Sequence, residues 1–183
     1  MRIAFRRRQT KTGAGTFTKV FPPVKKSLLR DEVLRQLRAE LARQAEAAQS
    51  SRDEAISEES RAENKWDTHS QEAAYLAEGQ AKIAADISAS IEIYVTLPLP
   101  DAAPGDAIAI GSIVELAAPD GSSAFYFLGP RAGGLEIETE GQHLLVLTPQ
   151  SPLGRQLLGR RAGETVQVPG RGAPTVQRIV SVQ

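Results

Sequence analysis

The stretch that decides the fold is LLRDEVLRQLRAELARQAEAA, residues 28–48. Its apolar residues recur at spacings of three or four, which is the period of one face of an α-helix. They are Leu34, Leu37, Leu41, Ala45 and Ala48. Ser27 before them suits a helix N-cap. Because no Gly or Pro occurs from Val24 to Glu78, the pattern predicts a helix of about 35 residues, roughly 50 Å long. So long a helix indicates a coiled coil.

A second helical pattern follows, with its own apolar face: Ala73, Leu76, Ile83, Ile87 and Ile91. The period fails between the two patterns at residues 64–70, where Asn, Asp, Thr and Ser cluster. Two helices joined by so short a connection run antiparallel. We therefore predict a coiled-coil hairpin over residues 27–93 with its tip near 64–70. One helix that continues through 64–70 is the alternative.

Charge is distributed unevenly along the chain, although 22 basic and 22 acidic residues cancel. Residues 1–50 contain twelve Lys or Arg and four acids, whereas residues 51–93 contain ten acids and four bases. The predicted hairpin therefore has an acidic tip and a basic base. Residues 1–26 show no sustained period and are predicted as a basic arm. This arm is either a contact for RNA, DNA or another partner, or a solvated tail.

Composition excludes several classes of protein. With no Cys, the chain has neither disulfides nor thiolate metal sites. No apolar stretch approaches the roughly 20 residues that span a bilayer, and the N-terminus lacks the apolar run of a secretory signal. We therefore expect a cytoplasmic protein with no membrane partner.

The second half of the chain has the pattern of a small β-rich domain. Residues 94–106 include Pro98, Pro100 and Pro104 and are predicted as a linker. Short alternating or β-branched runs follow, separated by turn residues. They are residues 107–117, 124–128, 143–147, 164–168 and 175–182.

Residues 151–158 are predicted as a short helix among these strands. Ser151 suits the N-cap, Pro152 the first turn and Gly159 the C-terminal stop. The predicted fold class is therefore α+β: a helical hairpin, then a domain at residues 107–183 with an antiparallel sheet and one short helix.

The usual catalytic motifs are missing from the sequence. No Gly-rich stretch is followed by Lys-Ser or Lys-Thr, so there is no phosphate loop. His69, assigned to the predicted turn, and His143, on a strand, lack metal-ligand spacing; Ser122 and Ser123 follow Asp-Gly without a nucleophile elbow. We expect no enzyme activity of the chain's own and no small-molecule substrate.

The acidic tip is the remaining candidate for chemistry, and its acids crowd one region of a thin rod: Glu58, Glu59, Glu63, Asp67 and Glu72. Such a rod cannot enclose a substrate. Mg²⁺ takes oxygen ligands and keeps several waters, so one or two carboxylates can complete a site supplied mostly by another molecule. The tip is therefore either a solvated helix end or a group of carboxylates that enters another macromolecule's pocket.

Residues 151–166, SPLGRQLLGRRAGETV, resemble a signature of the Gre-type bacterial transcription elongation factors. That signature is Ser-Pro-(Ile/Leu)-(Ala/Gly)-Arg-x-Leu-(Ile/Leu)-Gly-(Lys/Arg)-x-x-Gly-(Asp/Glu)-x-Val. Residues 110–116, IGSIVEL, also resemble the first strand of the family's C-terminal domain. The resemblance covers about residues 28–183 and leaves the basic arm without a counterpart.

The resemblance implies an FKBP-like C-terminal domain that docks on RNA polymerase beside its secondary channel. It implies that the hairpin passes through this channel towards the active site. In cleavage-competent members two tip acids help to hold the second Mg²⁺ while the polymerase hydrolyses the 3′ end of backtracked RNA. The factor is then an accessory protein with no cofactor of its own, because the Mg²⁺ belongs to the polymerase.

The resemblance also assigns roles to residues of this chain. Asp67 and Glu72 are the catalytic and metal-associated candidates that assist the polymerase, with Glu63 in reserve. Ser151, Pro152 and Arg155 in the signature shape the short helix and are also candidates for contact with the polymerase. Apart from the resemblance, Asn64 and Trp66 at the tip are partner-binding candidates, because they are unusual in a solvated turn and an exposed Trp is often an interface anchor. The alternative is that Trp66 packs on the two helices and caps the hairpin end.

The tip departs from the family motif, Asp-x-x-Glu-Asn-Ala-(Glu/Asp)-Tyr. Asp67 and Glu72 are five residues apart rather than three, and alignment on Tyr75 places Thr68 and Gln71 at the family's acid positions. Two hypotheses stay open: the tip stimulates RNA cleavage, or it enters the channel and regulates without cleavage.

Two other functions fit parts of the sequence. A coiled-coil adaptor would bind nucleic acid through basic residues, namely Arg6, Arg7, Arg8, Lys25 and Lys26. A prolyl isomerase would need an aromatic-lined pocket, but the aromatic residues of the second domain are the consecutive Phe125, Tyr126 and Phe127, which alternate between the two faces of a strand.

Overall fold

The computed structural model describes residues 24–59, 69–170 and 173–183. Two long helices come first, α1 at Lys26–Glu59 and α2 at His69–Thr96. The amide of Leu29 donates to the carbonyl of Lys25 at 3.1 Å, so Lys25 occupies the N-cap position and Ser27 lies inside the first turn. His69, which the sequence assigned to the turn, is the first residue of α2.

The two helices run antiparallel. Leu29, Val33 and Leu37 from the start of α1 share one buried cluster with Tyr94 from the end of α2. In one continuous helix Leu29 and Tyr94 would be roughly 100 Å apart. The predicted hairpin is therefore confirmed, and the continuous helix is excluded.

A six-stranded sheet follows the hairpin. Its strands are β1 (Ile113–Ala117), β2 (Ser123–Leu128), β3 (Glu136–Thr139), β4 (Gln142–Leu147), β5 (Thr165–Val168) and β6 (Thr175–Val182), with α3 (Pro152–Leu157) between β4 and β5. The spatial order is β3-β4-β2-β1-β6-β5. The predicted succession of a hairpin and a β-rich domain with one short helix is confirmed.

One strand pairing corrects the predicted antiparallel sheet, because β2 and β4 run parallel. The reason is β3, a strand that the sequence did not indicate. It carries the chain back before β4 begins, and it pairs with the outer edge of β4 rather than lying between β4 and β2. The sheet is therefore mixed.

The sheet is apolar on both faces because alternate residues of each strand point to opposite sides. On one face, Ile113, Phe127 and Val146 pack with the base of the hairpin. On the other, Val114, Leu128 and their neighbours pack with Leu153 and Leu157 of α3. The hairpin base and the sheet thus share one core.

The short helix α3 has the predicted caps. The Ser151 hydroxyl accepts a hydrogen bond from the Gly154 amide at 3.0 Å and donates one to the Thr148 carbonyl at 2.9 Å. Gly159 follows the helix with φ at +82°, a conformation that favours Gly. Among the described residues, no helix is long and apolar enough to cross a membrane.

Gln156 of α3 covers the exposed edge of β5. Its side-chain amide donates to the carbonyl of Gln167 and accepts from the amide of Gln167, both at 2.9 Å. It therefore occupies the place of a neighbouring strand at an edge that would otherwise be open for pairing with another chain.

Gln156→Ala is expected to remove both hydrogen bonds and to expose the Gln167 amide to solvent. A hydrogen bond of this kind contributes about 1 kcal/mol, so hydrogen exchange at Gln167 should accelerate several-fold. Gln150→Ala is the matched control, because Gln150 is exposed and its carbonyl, which accepts from Arg155, is retained. Unchanged exchange at Gln167 in Gln156→Ala would contradict the assigned role.

Candidate functional site

Glu72 is the predicted tip acid whose side chain the structure describes, and it lies at the far end of the hairpin. Glu72 lies in the first turn of α2 and its side chain is exposed. Measured along the helix, it is about 33 Å from Tyr94 at the base. Asp67 lies outside the described residues, as do Glu63, Asn64 and Trp66.

Apolar side chains are exposed beside Glu72. Tyr75 is 73% exposed and Leu76 is 60% exposed. Ile83, about two turns further along α2, is 48% exposed. Tyr75 and Leu76 therefore leave apolar groups in water on the same end of α2 as Glu72.

The chemistry available at Glu72 is that of a single exposed carboxylate. Glu72 lies in the first turn of α2. Among residues 24–59, 69–170 and 173–183, no group of three His, Asp or Glu side chains is placed to hold a metal ion. Glu72 therefore suits Mg²⁺ as one additional oxygen ligand in a site whose other ligands come from elsewhere.

The signature residues lie at the surface of the β domain. Pro152 and Arg155 are exposed, and the Arg155 Nη1 donates to the Gln150 carbonyl at 3.0 Å. Ser151 is half-buried, and its hydroxyl already bonds Gly154 and Thr148. Pro152 and Arg155 are therefore accessible at the surface, whereas the Ser151 side chain shapes α3.

The prediction that Lys26 belongs to a basic contact surface is wrong, because Lys26 is buried. Only 9% of this residue is exposed, and its Nζ donates to the Pro100 carbonyl at 2.6 Å. Burial lowers the pKa of Lys26, although the nearby Asp101 charge acts in the opposite direction. Lys26 therefore fastens the linker to α1, while Lys25 is exposed; Arg6, Arg7 and Arg8 lie outside the described residues.

Gln36 connects α1 to the sheet, and Glu32 accepts a hydrogen bond from its side-chain amide. Hydrogen bonds from Arg35 and Gln36 lower the pKa of Glu32 to about 2. The Gln36 amide also donates to the Glu136 carbonyl on β3 at 3.0 Å. A depressed acid pKa stabilises the fold above the group's ordinary pKa, so the contribution of ionised Glu32 is complete at neutral pH and is lost as the pH falls from the ordinary Glu range towards 2.

Tyr94 was missed as a core residue because it fell inside the predicted linker. It is fully buried in the core that joins the hairpin to the sheet. The signal was present in the sequence, since Ile83, Ile87, Ile91 and Tyr94 continue one helical face at spacings of four, four and three.

Comparisons with known proteins gave matches among solved structures alone. No family model matches the chain, and no curated protein matches it. GreA factor homolog 1 (Gfh1) of Thermus thermophilus is 21% identical, with a TM-score of 0.37 over 82% of this chain and 94% of that one. Gfh1 of Thermus aquaticus is 21% identical, with a TM-score of 0.36; the match covers 81% of this chain and 92% of that one. The elongation factor GreA/GreB of Nitrosomonas europaea is 18% identical, with a TM-score of 0.34; the match covers 57% of this chain and 89% of that one.

Proposed function

We propose that this chain is a Gre-type transcription elongation factor that binds bacterial RNA polymerase and inserts its hairpin into the secondary channel. One observation carries the proposal: the signature-like residues 151–166 fold as the capped helix α3, a turn and strand β5. They do so on a β domain whose core is continuous with a long helical hairpin. The cytoplasm, where the polymerase works, is the corresponding location.

The shape of the hairpin supports this proposal. The helix α1 has 34 residues, which corresponds to a length of about 51 Å. Two packed helices are only about 20 Å across. Such a rod reaches deep into a narrow channel while its base stays outside on the β domain.

The exposed groups near the tip support an active-site role. Glu72, with Asp67 in the connection before α2, would add carboxylate oxygens to the polymerase's Mg²⁺. When bound, that ion stabilises the charge that develops on phosphate oxygens and activates water. Tyr75 and Leu76 are exposed on the same end of α2 and would pack on the channel wall, which holds the carboxylates in place.

A second candidate function is channel regulation without cleavage, and the spacing of the acids favours it. Asp67 and Glu72 are five residues apart, which on a helix corresponds to directions about 140° apart. Acids three residues apart, as in the family motif, share one side of a helix. Joint action of Asp67 and Glu72 therefore requires a non-helical turn between them.

Cleavage of RNA in a stalled, backtracked elongation complex tests the proposal. Wild-type protein is expected to accelerate cleavage of the 3′ end, and Asp67→Ala/Glu72→Ala to reduce this stimulation roughly 100-fold while binding persists. Glu78→Ala is the control, because it removes another exposed acid of α2 away from the tip and should leave stimulation unchanged.

The other outcomes are equally informative. Binding to polymerase without stimulation by the wild-type protein would overturn the cleavage role and leave channel regulation. No binding to polymerase would overturn the proposed function itself. Equal losses in the Glu78 variant and the tip variant would show that general charge, rather than the tip acids, supports activity.

A further inference from the structure

Tyr94 at the base of α2 sits in a socket formed by the loop between β2 and β3. Its side chain is fully buried, and its hydroxyl donates to the Arg131 carbonyl at 2.7 Å. Burial raises the pKa of the Tyr94 phenol, so the hydroxyl keeps the proton that it donates.

The socket is shaped by residues that leave room for this ring. A Cβ added at Gly129 would overlap the Tyr94 hydroxyl oxygen and lie 3.0 Å from the Val146 Cγ1. Ala132 adopts a φ of +60°, which is uncommon for a residue other than Gly. The loop is narrow at Gly129 and sharply bent at Ala132, so it accepts the aromatic ring in one position.

Backbone hydrogen bonds hold the socket against the sheet. The Gly129 amide donates to the Leu147 carbonyl, and the Gly134 amide to the Val146 carbonyl, both at 2.8 Å. The Val146 amide donates in turn to the Leu135 carbonyl at 2.9 Å. Because β4 fixes both ends of the loop, the socket moves with the sheet.

The two helices of the hairpin are attached to the β domain in different ways. On the α1 side, Gln36 bonds Glu136 and the Lys25 amide bonds the Glu140 carboxylate at 3.1 Å. On the α2 side, the Tyr94 hydroxyl bonds the Arg131 carbonyl in the loop between β2 and β3. Attachments on both helices restrain the direction of the hairpin more tightly than attachments on α1 alone.

The direction of the hairpin determines the position of its tip, because a small rotation at the base produces a large displacement at the far end. Glu72 is about 33 Å along α2 from Tyr94, so a rotation of roughly 10° at the base displaces Glu72 by about 6 Å. Displacements near 1 Å are enough to weaken positioning at a reaction centre.

We propose that Tyr94, seated against Gly129 and bonded to Arg131, is a positioning residue that fixes the direction of the hairpin relative to the β domain. Its importance for activity rests on the proposed function, because the β domain would dock outside the channel while the tip acts inside. The mechanical statement concerns the free protein and can be tested without polymerase.

Spin-label distance measurements on the free protein test the proposal. The chain has no Cys, so nitroxides attached at Glu78→Cys and His143→Cys report one distance from hairpin to sheet; both residues are exposed. Tyr94→Phe removes the hydroxyl alone, and Gly129→Ala drives the intact ring out of its place. Each is expected to shift or broaden this distance distribution by several ångströms.

Two controls separate a change of direction from unfolding. A label pair at Ala42→Cys and Glu78→Cys lies within the hairpin and should keep its distance in every variant. Tyr126→Phe removes a hydroxyl from the half-buried Tyr126, which packs on the other core cluster, and should change neither distance. If the within-hairpin distance changes in Gly129→Ala, that variant is misfolded, and the proposal is then decided by Tyr94→Phe alone.

A hairpin-to-sheet distribution in Tyr94→Phe that matches the wild type would overturn the proposal. RNA cleavage by Tyr94→Phe then tests the link to function separately. A changed distance with unchanged polymerase stimulation would overturn the positioning role in activity, whereas absence of polymerase binding by the wild type would overturn the proposed function and leave the mechanical result standing.

Discussion

Leu29→Ala is expected to destabilise the whole chain by about 2–5 kcal/mol, the range for truncating a buried Leu. Leu29 is fully buried in the cluster that contains Phe127 and Ile137 of the sheet as well as Val33 and Tyr94 of the hairpin. A cavity at this point therefore weakens the packing of both parts, and neither part can compensate alone.

Urea unfolding measures this loss. Helix circular dichroism and hydrogen exchange at the Val146 amide should give the same lowered stability, because helix and sheet share the core. Leu28→Ala is the matched control, since the neighbouring Leu28 is 43% exposed and should cost less than about 1 kcal/mol. Loss of helix signal with unchanged exchange at Val146 would contradict a shared core.

Gly154→Ala is expected to destabilise the protein by about 1–3 kcal/mol, although Ala is the better helix former by about 1 kcal/mol. A Cβ at this position would overlap the Thr148 carbonyl oxygen and lie 2.8 Å from the Ser151 Oγ. The carbonyl cannot move away easily, because it also accepts hydrogen bonds from the Ser151 amide and hydroxyl. The Gre signature allows Ala or Gly here, but packing in this chain requires Gly.

Gly79→Ala is the matched control for this substitution. Gly79 lies inside α2, where an added Cβ would meet no other described side chain within 4 Å, so Ala should stabilise by about 0.5–1 kcal/mol. The two substitutions are chemically identical and should have opposite signs in urea unfolding. A stabilising Gly154→Ala would contradict the close approach of α3 to Thr148.

The hairpin was predictable because its signal is local and periodic. Leu34 and Leu37 on one helix, and Ile87 and Ile91 on the other, mark the buried sides in the sequence, and all four lie in or against the same core. The predicted end of α2, residue 93, was three residues too early, because the linker assigned around Pro98 and Pro100 was extended to include Tyr94; the helix ends at Thr96. The burial of Tyr94 depends on a loop more than 30 residues away, which local spacing does not reveal.

The sheet was predictable strand by strand but not in its pairing. Thr175–Val182 was predicted with its observed bounds because five of its eight residues are β-branched. The short strand Glu136–Thr139 was missed because EIET has one apolar residue, Ile137, which the hairpin base and the sheet cover together. Without β3 the parallel contact of β2 and β4 was not expected.

The position of Glu72 in the candidate site was predictable from the sequence. The sequence placed Glu72 at the far end of the hairpin, and the structure has it exposed in the first turn of α2. The basic residues near the base of the hairpin looked alike in sequence. The Lys26 side chain, however, donates to the Pro100 carbonyl in the linker, whereas Lys25 is exposed to solvent. Asp67, Asn64 and Trp66 lie outside the described residues, and their roles stay predictions.

The most direct test of the central claim is to locate the hairpin tip in a complex with RNA polymerase. Because the chain has no Cys, an iron chelate attached at Leu76→Cys generates hydroxyl radicals from one known point near the tip. A chelate at Ser123→Cys, an exposed site on the β domain, is the matched control. The proposed function predicts that the Leu76 chelate cuts the polymerase beside its active site and the 3′ end of the RNA, while the Ser123 chelate cuts outside the channel. Cuts from the Leu76 chelate confined to the outer surface of the polymerase, or no cuts from either position, would contradict it.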